Sequence, residues 1–176
     1  MISNGGHGVV DVRTATTADA EAIINVHFAA VHETAAASYP GNVLDTWSRP
    51  PDEARYQRIR DAVVNGEELF LVAEDDSGVV GFGSIMPSLE ELHAVYVHPE
   101  AGRRGVGRRI LAELERLAID RRLSQLQMAA SVNAEAFYRR AGYEVVEYGV
   151  LRLTDEVEMA CVRMKKRLTV DPDHDD

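Results

Sequence analysis

The sequence predicts an α/β fold: a mixed, mostly antiparallel sheet with one parallel pair and helices on both faces. Three observations predict it. Apolar runs at 69–74 and 79–86 flank Asp75-Asp76-Ser77-Gly78, a hairpin turn that makes the middle of the chain antiparallel. A strand at Glu91–Val97, a helix from about Gly105 to Arg121 and a strand at Gln125–Ala129 form a crossover, which requires parallel strands. The full order, β-α-α-β-β-β-α-β-α-β-β, covers both faces of one sheet.

The elements follow in order. Val9-Val10-Asp11-Val12-Arg13 reads as a first strand. Thr17 caps a helix in which Ala22, Ile23, Val26, Ala29 and Ala30 supply an apolar face. A loop containing Tyr39-Pro40-Gly41-Asn42 follows, then a helix opened by Pro50-Pro51-Asp52-Glu53 and stopped by Gly66. After the hairpin and the crossover, Asn133–Ala141 is a short helix stopped by Gly142. Strands at about 143–151 and 157–166 close the fold as a hairpin.

The chain has 176 residues, and 9–168 read as one domain between flexible ends, 1–8 and 169–176. Apolar content of 45% and charged content of 27% are those of an ordinary globular protein. No apolar run is long enough to span a bilayer, and the first residues lack the features of a signal peptide. The expected location is the cytoplasm, without membrane association. The net charge of −10 argues against nucleic-acid binding and favours a cationic substrate. Part of that charge lies in the tail Asp171–Asp176, which reads as solvated. The one cysteine, Cys161, lies in an alternating apolar segment and reads as a buried strand residue.

The segment Gly102-Arg103-Arg104-Gly105-Val106-Gly107-Arg108-Arg109 joins the crossover strand to its helix. A strand that turns through glycines into a helix N-terminus offers backbone N–H groups and the positive end of the helix dipole to an anion. Four arginines add full charges. A dinucleotide fingerprint fails because Ile110 occupies the third glycine position, and a P-loop fails because no G-K-[ST] occurs.

The segment Leu92–Leu111 resembles motif A of the GCN5-related N-acetyltransferases, in which a valine-ended strand leads to Q/R-x-x-G-x-G/A at a helix start. Gly105 and Gly107 match its glycines; Gly102 stands at the leading Gln/Arg position, with arginine displaced to 103 and 104. Asn133-Ala134-Glu135-Ala136-Phe137-Tyr138-Arg139-Arg140-Ala141-Gly142-Tyr143 is similar to the family's N-A-x-x-F-Y-x-x-x-G-F/Y segment. The resemblance implies an acetyl-coenzyme A site. The pyrophosphate would rest on Arg103, Arg104, Gly105, Val106, Gly107 and Arg108. The pantetheine arm would lie along Val95, Tyr96 and Val97, between two strands that splay apart, and Asn133 would add a contact.

Acetyl transfer to an amine needs a base, an oxyanion donor and an acid for the departing thiolate. Tyr138 stands at the family's general-acid position; packing of the short helix is its other use. Asn133 also suits a helix N-cap. Glu91, fourteen residues before Gly105, stands where some members carry a glutamate base, with Glu90 the alternative in another register. On a regular strand Glu91, His93, Val95 and Val97 share a face. The Val95 N–H is the candidate for polarising the thioester carbonyl. His27, His32, Tyr39, Trp47 and Tyr148 are candidates for the acceptor site. No spacing indicates a metal site.

The function expected is direct acetyl transfer from acetyl-coenzyme A to a primary amine of a small molecule. The alternatives are acetylation of a protein N-terminus or lysine, and a non-catalytic acyl-coenzyme A sensor. A homodimer is compatible with the sequence.

Overall fold

The computed structural model describes residues 8–169. Seven strands form one sheet: β1 (Asp11–Thr14), β2 (Leu69–Asp75), β3 (Gly78–Met86), β4 (Glu91–Val97), β5 (Gln125–Ser131), β6 (Glu144–Arg152) and β7 (Glu158–Arg167). Their order across the sheet is β1-β2-β3-β4-β5-β7-β6. Every pairing is antiparallel except β4 with β5. The flexible ends expected at 1–8 and 169–176, and the acidic tail, fall outside the described residues but for Gly8 and Thr169.

Five helices accompany the sheet: α1 (Ala20–Ala29), α2 (Gly41–Trp47), α3 (Glu53–Asn65), α4 (Val106–Asp120) and α5 (Glu135–Arg140). The cap of the first helical segment is Thr16 rather than Thr17: its N–H donates to Asp19 Oδ2 at 2.8 Å, and Arg13 holds the same carboxylate at 2.8 Å. α1 runs on into a π-helical turn, Ala30–Thr34. The stretch read as a loop around Tyr39-Pro40-Gly41-Asn42 contains α2 instead, with Pro40 at its N-cap. A seven-residue helix is too short to display a periodic pattern. α3 starts at Glu53, at the end of the expected Pro50–Glu53 opening, because the Asp52 carboxylate accepts the Arg55 N–H at 2.8 Å.

The two faces of the sheet bury different partners. α4 lays Ile110, Leu114 and Ala118 against Ile85, Leu92, Leu126 and Met164. On the other face Ile23 and Val26 of α1 pack on Phe70, Val72 and Phe82, beside Ile59 and Ala62 of α3. A third cluster, around Val31, Tyr39, Leu44 and Met159, closes over the end of the sheet where β4 and β5 part. Cys161 is buried in β7, as its pattern predicts.

Close approach fixes one glycine. A Cβ on Gly83 would lie 2.7 Å from both Ile110 and Leu114 side chains and 2.8 Å from the Ala94 carbonyl. Gly83→Ala should therefore force α4 off the sheet, lowering stability by about 1–3 kcal/mol. Denaturant titration checks this, and an unchanged midpoint would show that α4 does not sit this tightly.

Candidate active site

β4 and β5 share one ladder pair, Glu91 with Gln127, extended by Gln127 N–H to the Glu90 carbonyl at 2.9 Å. Beyond it the strands diverge. β4 keeps its antiparallel ladder to β3 from Gly81 to Met86, while its other edge faces the gap. The gap leads to the N-terminus of α4.

The turn between β4 and α4 leaves backbone donors without protein acceptors. Arg103 and Gly105 both have left-handed backbones, with φ of 62° and 75°. The first bond from the α4 region into its cap is Arg109 N–H to the Gly105 carbonyl at 3.1 Å. No side chain caps the helix and no acidic residue occupies its first turn. The N–H groups of Val106, Gly107 and Arg108 thus lack helical acceptors and face outward with the positive end of the helix dipole. Gly105 is required for its φ, since a Cβ there meets strain rather than a neighbour.

A cavity of about 480 Å³ fills the gap. Val95, Tyr96, Val97, Arg103, Gly107, Asn133 and Tyr138 all line it, with Trp47 and the π-helical turn of α1 opposite. Sequence positions far apart are thus brought to one site. A Cβ on Gly107 would reach the Phe137 ring at 3.4 Å and Val97 at 3.6 Å, so the absence of a side chain keeps the mouth between them open. The two displaced arginines divide. Arg103 faces the cavity, whereas Arg104 turns away to Asp75 at 2.8 Å. Hydrogen bonds from Ser77 and then Arg104 hold the Asp75 carboxyl down at about 2. Val106 is buried in the core, so only its backbone is available, and the Arg108 side chain is exposed away from the cavity.

Tyr138 is 6% exposed, and its side chain reaches the cavity wall. Burial, with a smaller contribution from Tyr96, pushes its hydroxyl well above the ordinary tyrosine value. It is protonated throughout the neutral range.

A second cavity, about 510 Å³, lies on the α1/α3 side and shares Trp47 and Tyr96 with the first. A β-bulge makes this possible. Ser84 pairs with Ala94 and Ile85 with Leu92, leaving His93 as an extra residue in β4. The regular alternation expected for Glu91, His93, Val95 and Val97 is therefore broken. Leu92, Val95 and Val97 face α4, whereas Ala94 and Tyr96 face α1 and α3, and His93 lines the second cavity.

His93 sits between two carboxylates, Nδ1 3.3 Å from Glu68 Oε1 and Nε2 3.0 Å from Glu91 Oε2. Ser84 Oγ donates to the same Glu68 oxygen at 2.6 Å. The hydrogen bond with Glu68, assisted by Glu91, raises His93 above the ordinary imidazole value against the effect of burial. Burial favours neutral Glu68, but the bonds from His93 and Ser84 outweigh it and hold the carboxyl below its usual range. Glu91 itself lines neither cavity and reaches the site through His93. Glu68 lies in an unpatterned segment before β2, and only the fold reveals its partnership with β4.

The other expected acceptor residues separate. His27 lines the second cavity, its ring 4.6 Å from that of Tyr96. Burial, then the charges of Arg55 and His32, push it down to about 4, so it is neutral. His32 is turned to the Ser48 carbonyl at 2.8 Å. Tyr39 is a tie rather than a wall: its hydroxyl donates to the Ala160 carbonyl at 2.7 Å and accepts the Val132 N–H at 2.8 Å. Tyr148 is 65% exposed on β6, hydrogen-bonded to Glu135, outside both cavities. Among the described residues no cluster of metal-ligating side chains occurs, and no helix is long and apolar enough to cross a membrane.

Solved structures share this fold. A GCN5-related N-acetyltransferase of Rhodopseudomonas palustris superposes with a TM-score of 0.80 at 27% identity, covering 92% of this chain and 98% of that one. The PaiA N-acetyltransferase of Thermoplasma acidophilum, in complex with coenzyme A, gives 0.74 at 22% identity over 90% and 99%. A ribosomal-protein-alanine N-acetyltransferase of Brucella melitensis gives 0.68 at 26% identity over 90% and 99%. No curated protein sequence matches the chain. The acetyltransferase (GNAT) domain profile matches residues 34–168, from the π-helical turn through β7. With the splayed strands and the uncapped glycine turn inside that span, the chain belongs to the GNAT acetyltransferase family.

Proposed function

We propose that this protein transfers the acetyl group of acetyl-coenzyme A directly to the primary amine of a small molecule. The observation that carries the reading is the cavity between β4 and β5, which joins an uncapped helix N-terminus to a buried, protonated tyrosine. The residues present fit the cosubstrate. The N–H groups opening α4 and the Arg103 side chain suit its phosphates. Arg104, paired with Asp75, contributes through its backbone. The free edge of β4 at Val95–Val97 suits the amides of a pantetheine arm, which pair with it as a strand would. Asn133 lines the same cavity. When bound, acetyl-coenzyme A supplies an activated acyl thioester with a thiolate leaving group.

The protein's own groups supply the rest. Neutral above its raised pKa, His93 donates to one of its two carboxylates; its other nitrogen, released from the second, accepts the proton of the amine, and Glu68 and Glu91 then stabilise the imidazolium that results. Glu91 is in this reading a positioning residue. The Val95 N–H stabilises developing negative charge on oxygen. The Tyr138 hydroxyl holds the proton that a departing thiolate requires. No cysteine takes part, since Cys161 is buried in β7. A small acceptor is favoured by the size of the second cavity, about 510 Å³, beside Trp47.

Three measurements test this reading. Gly107→Leu fills the space between Val97 and Phe137, and calorimetric titration with coenzyme A should lose its binding heat while the fold persists. Tyr138→Phe should lower kcat about a hundredfold, the lower end of general acid–base contributions, with little change in KM for acetyl-coenzyme A; an unchanged kcat refutes the acid role. The pH profile of kcat/KM should rise through an inflection above the ordinary histidine value of about 6.5. In Glu91→Gln that inflection should move down, because a carboxylate favouring the imidazolium is lost.

A further inference from the structure

We infer that the acceptor is an amino carboxylate: a small primary amine that also bears a carboxylate, held with its anionic end on Arg49, Arg55 and Arg58. This rests on the acetyltransferase reading above.

The second cavity is electrically polarised. Arg49, Arg55 and Arg58 line one part of it, and Glu68 and His93 another. Arg55 carries the argument. It is 6% exposed, yet its guanidinium contacts only neutral groups: the Arg49 carbonyl, Ser48 Oγ at 3.4 Å and His27 Nδ1 at 3.3 Å. Its neighbour Asp52 spends its carboxylate on the backbone N–H of Arg55. Among the described residues no carboxylate forms an ion pair with Arg49, Arg55 or Arg58, although Arg60, on the same helix, pairs with Glu53 at 2.6 Å. The Asp52 charge favours the Arg55 cation at a distance, but a buried cation without a direct ion pair is costly, and an incoming anion relieves that cost. His27 is neutral and so adds no competing cation beside it. A guanidinium meets a carboxylate in a bidentate fork, with two exposed arginines at hand to complete the site.

The opposite part selects for an amine. Glu68 and the Glu91–His93 pair place negative charge around Ser84 and Ala94. An ammonium is attracted there and meets the group that deprotonates it. The two poles lie over different rungs of the sheet. His27, beside Arg55, packs on Phe82 and Tyr96, whereas Glu68 lies over Ser84, two residues along β3. Those two rungs are about 7 Å apart along β3. Ile59, Phe70 and Phe82 supply apolar wall for the body of the molecule. A ligand with one positive and one negative end satisfies both poles; a simple diamine leaves the arginines unneutralised and is repelled by them.

The test is release of free thiol from acetyl-coenzyme A by the full chain with paired amines. The probes are apolar and aromatic α-amino acids and their β- and γ-homologues, each beside its carboxamide and its decarboxylated amine. At least one carboxylate should exceed both partners about tenfold in kcat/KM, the factor expected of a charge-assisted hydrogen bond. The exposed pair Arg49→Gln/Arg58→Gln should raise KM for that carboxylate about tenfold, lower its kcat less, and shrink its advantage over the carboxamide. Arg55→Lys should do the same, with a melting curve to show that it folds. Thiol release by the decarboxylated amines equal to or above that of the carboxylates overturns this inference and leaves the acetyltransferase reading standing. An undiminished carboxylate preference in the double variant also overturns it. No thiol release from any probe, with coenzyme A still bound, overturns both.

Discussion

The separation of β4 from β5 is the constraint on which the site depends. Two adjacent parallel strands ordinarily exchange evenly spaced hydrogen bonds along their length. Here one rung is made, at Glu91 and Gln127, and the rest of the β4 edge is left for something else. Buried backbone groups must find partners, so an open edge in a protein interior is a binding surface. The gap is held from both sides. α4 packs tightly on β3 through Gly83, which fixes where its N-terminus lies. Across the gap the Tyr39 hydroxyl links Val132, just past β5, to Ala160 of β7, so that β5 stays with β7 rather than closing on β4.

The bulge at His93 is the second half of the design. A regular strand facing two layers gives alternate residues to each. One extra residue shifts that alternation, and the same seven-residue strand then serves two cavities. Val95 and Val97 line the β4–β5 cavity, and His93 and Ala94 the one beneath α1 and α3. Tyr96 and Trp47 border both, which brings the two cavities together without merging them. In the proposed reaction the amine would reach the thioester where the two cavities meet, beside Tyr96 and Trp47.

The parts legible in the sequence were those written in local chemistry. The hairpin at Asp75–Gly78, the stops at Gly66 and Gly142 and the glycine turn each depend on a backbone conformation that few residues adopt, and φ is positive at Gly66, Gly78, Gly105 and Gly142, one in each of the four. The crossover followed from topology alone. The residues gathered around the β4–β5 cavity were legible through their resemblance to a family motif. The bulge was not legible, because a strand with an extra residue still reads as alternating. Neither was Glu68, whose role arises from the pairing of β2 with β3 and β3 with β4, contacts that are distant in sequence. Tyr39 and Tyr148, expected beside the acceptor, are equally aromatic and equally near turns; only the fold separates a buried tie from an exposed strand residue.

Charge shows how a global reading and a local one diverge. The net charge of −10 points to a cationic ligand if it is treated as one field. Exposed charges more than about 8–10 Å apart are largely screened at physiological salt, whereas charges inside a walled cavity are screened far less. The acidic residues that set the total are spread over the surface, where many already pair, as Glu113 does with Arg116 and Glu135 with Arg139. The three arginines of the second cavity have no such partners among the described residues, and one of them is buried. On the proposed reading, their field at a bound ligand outweighs that of a larger number of solvated carboxylates. On that reading the surface charge governs the approach of a ligand from solution, and Arg55 and its neighbours govern the form in which it stays.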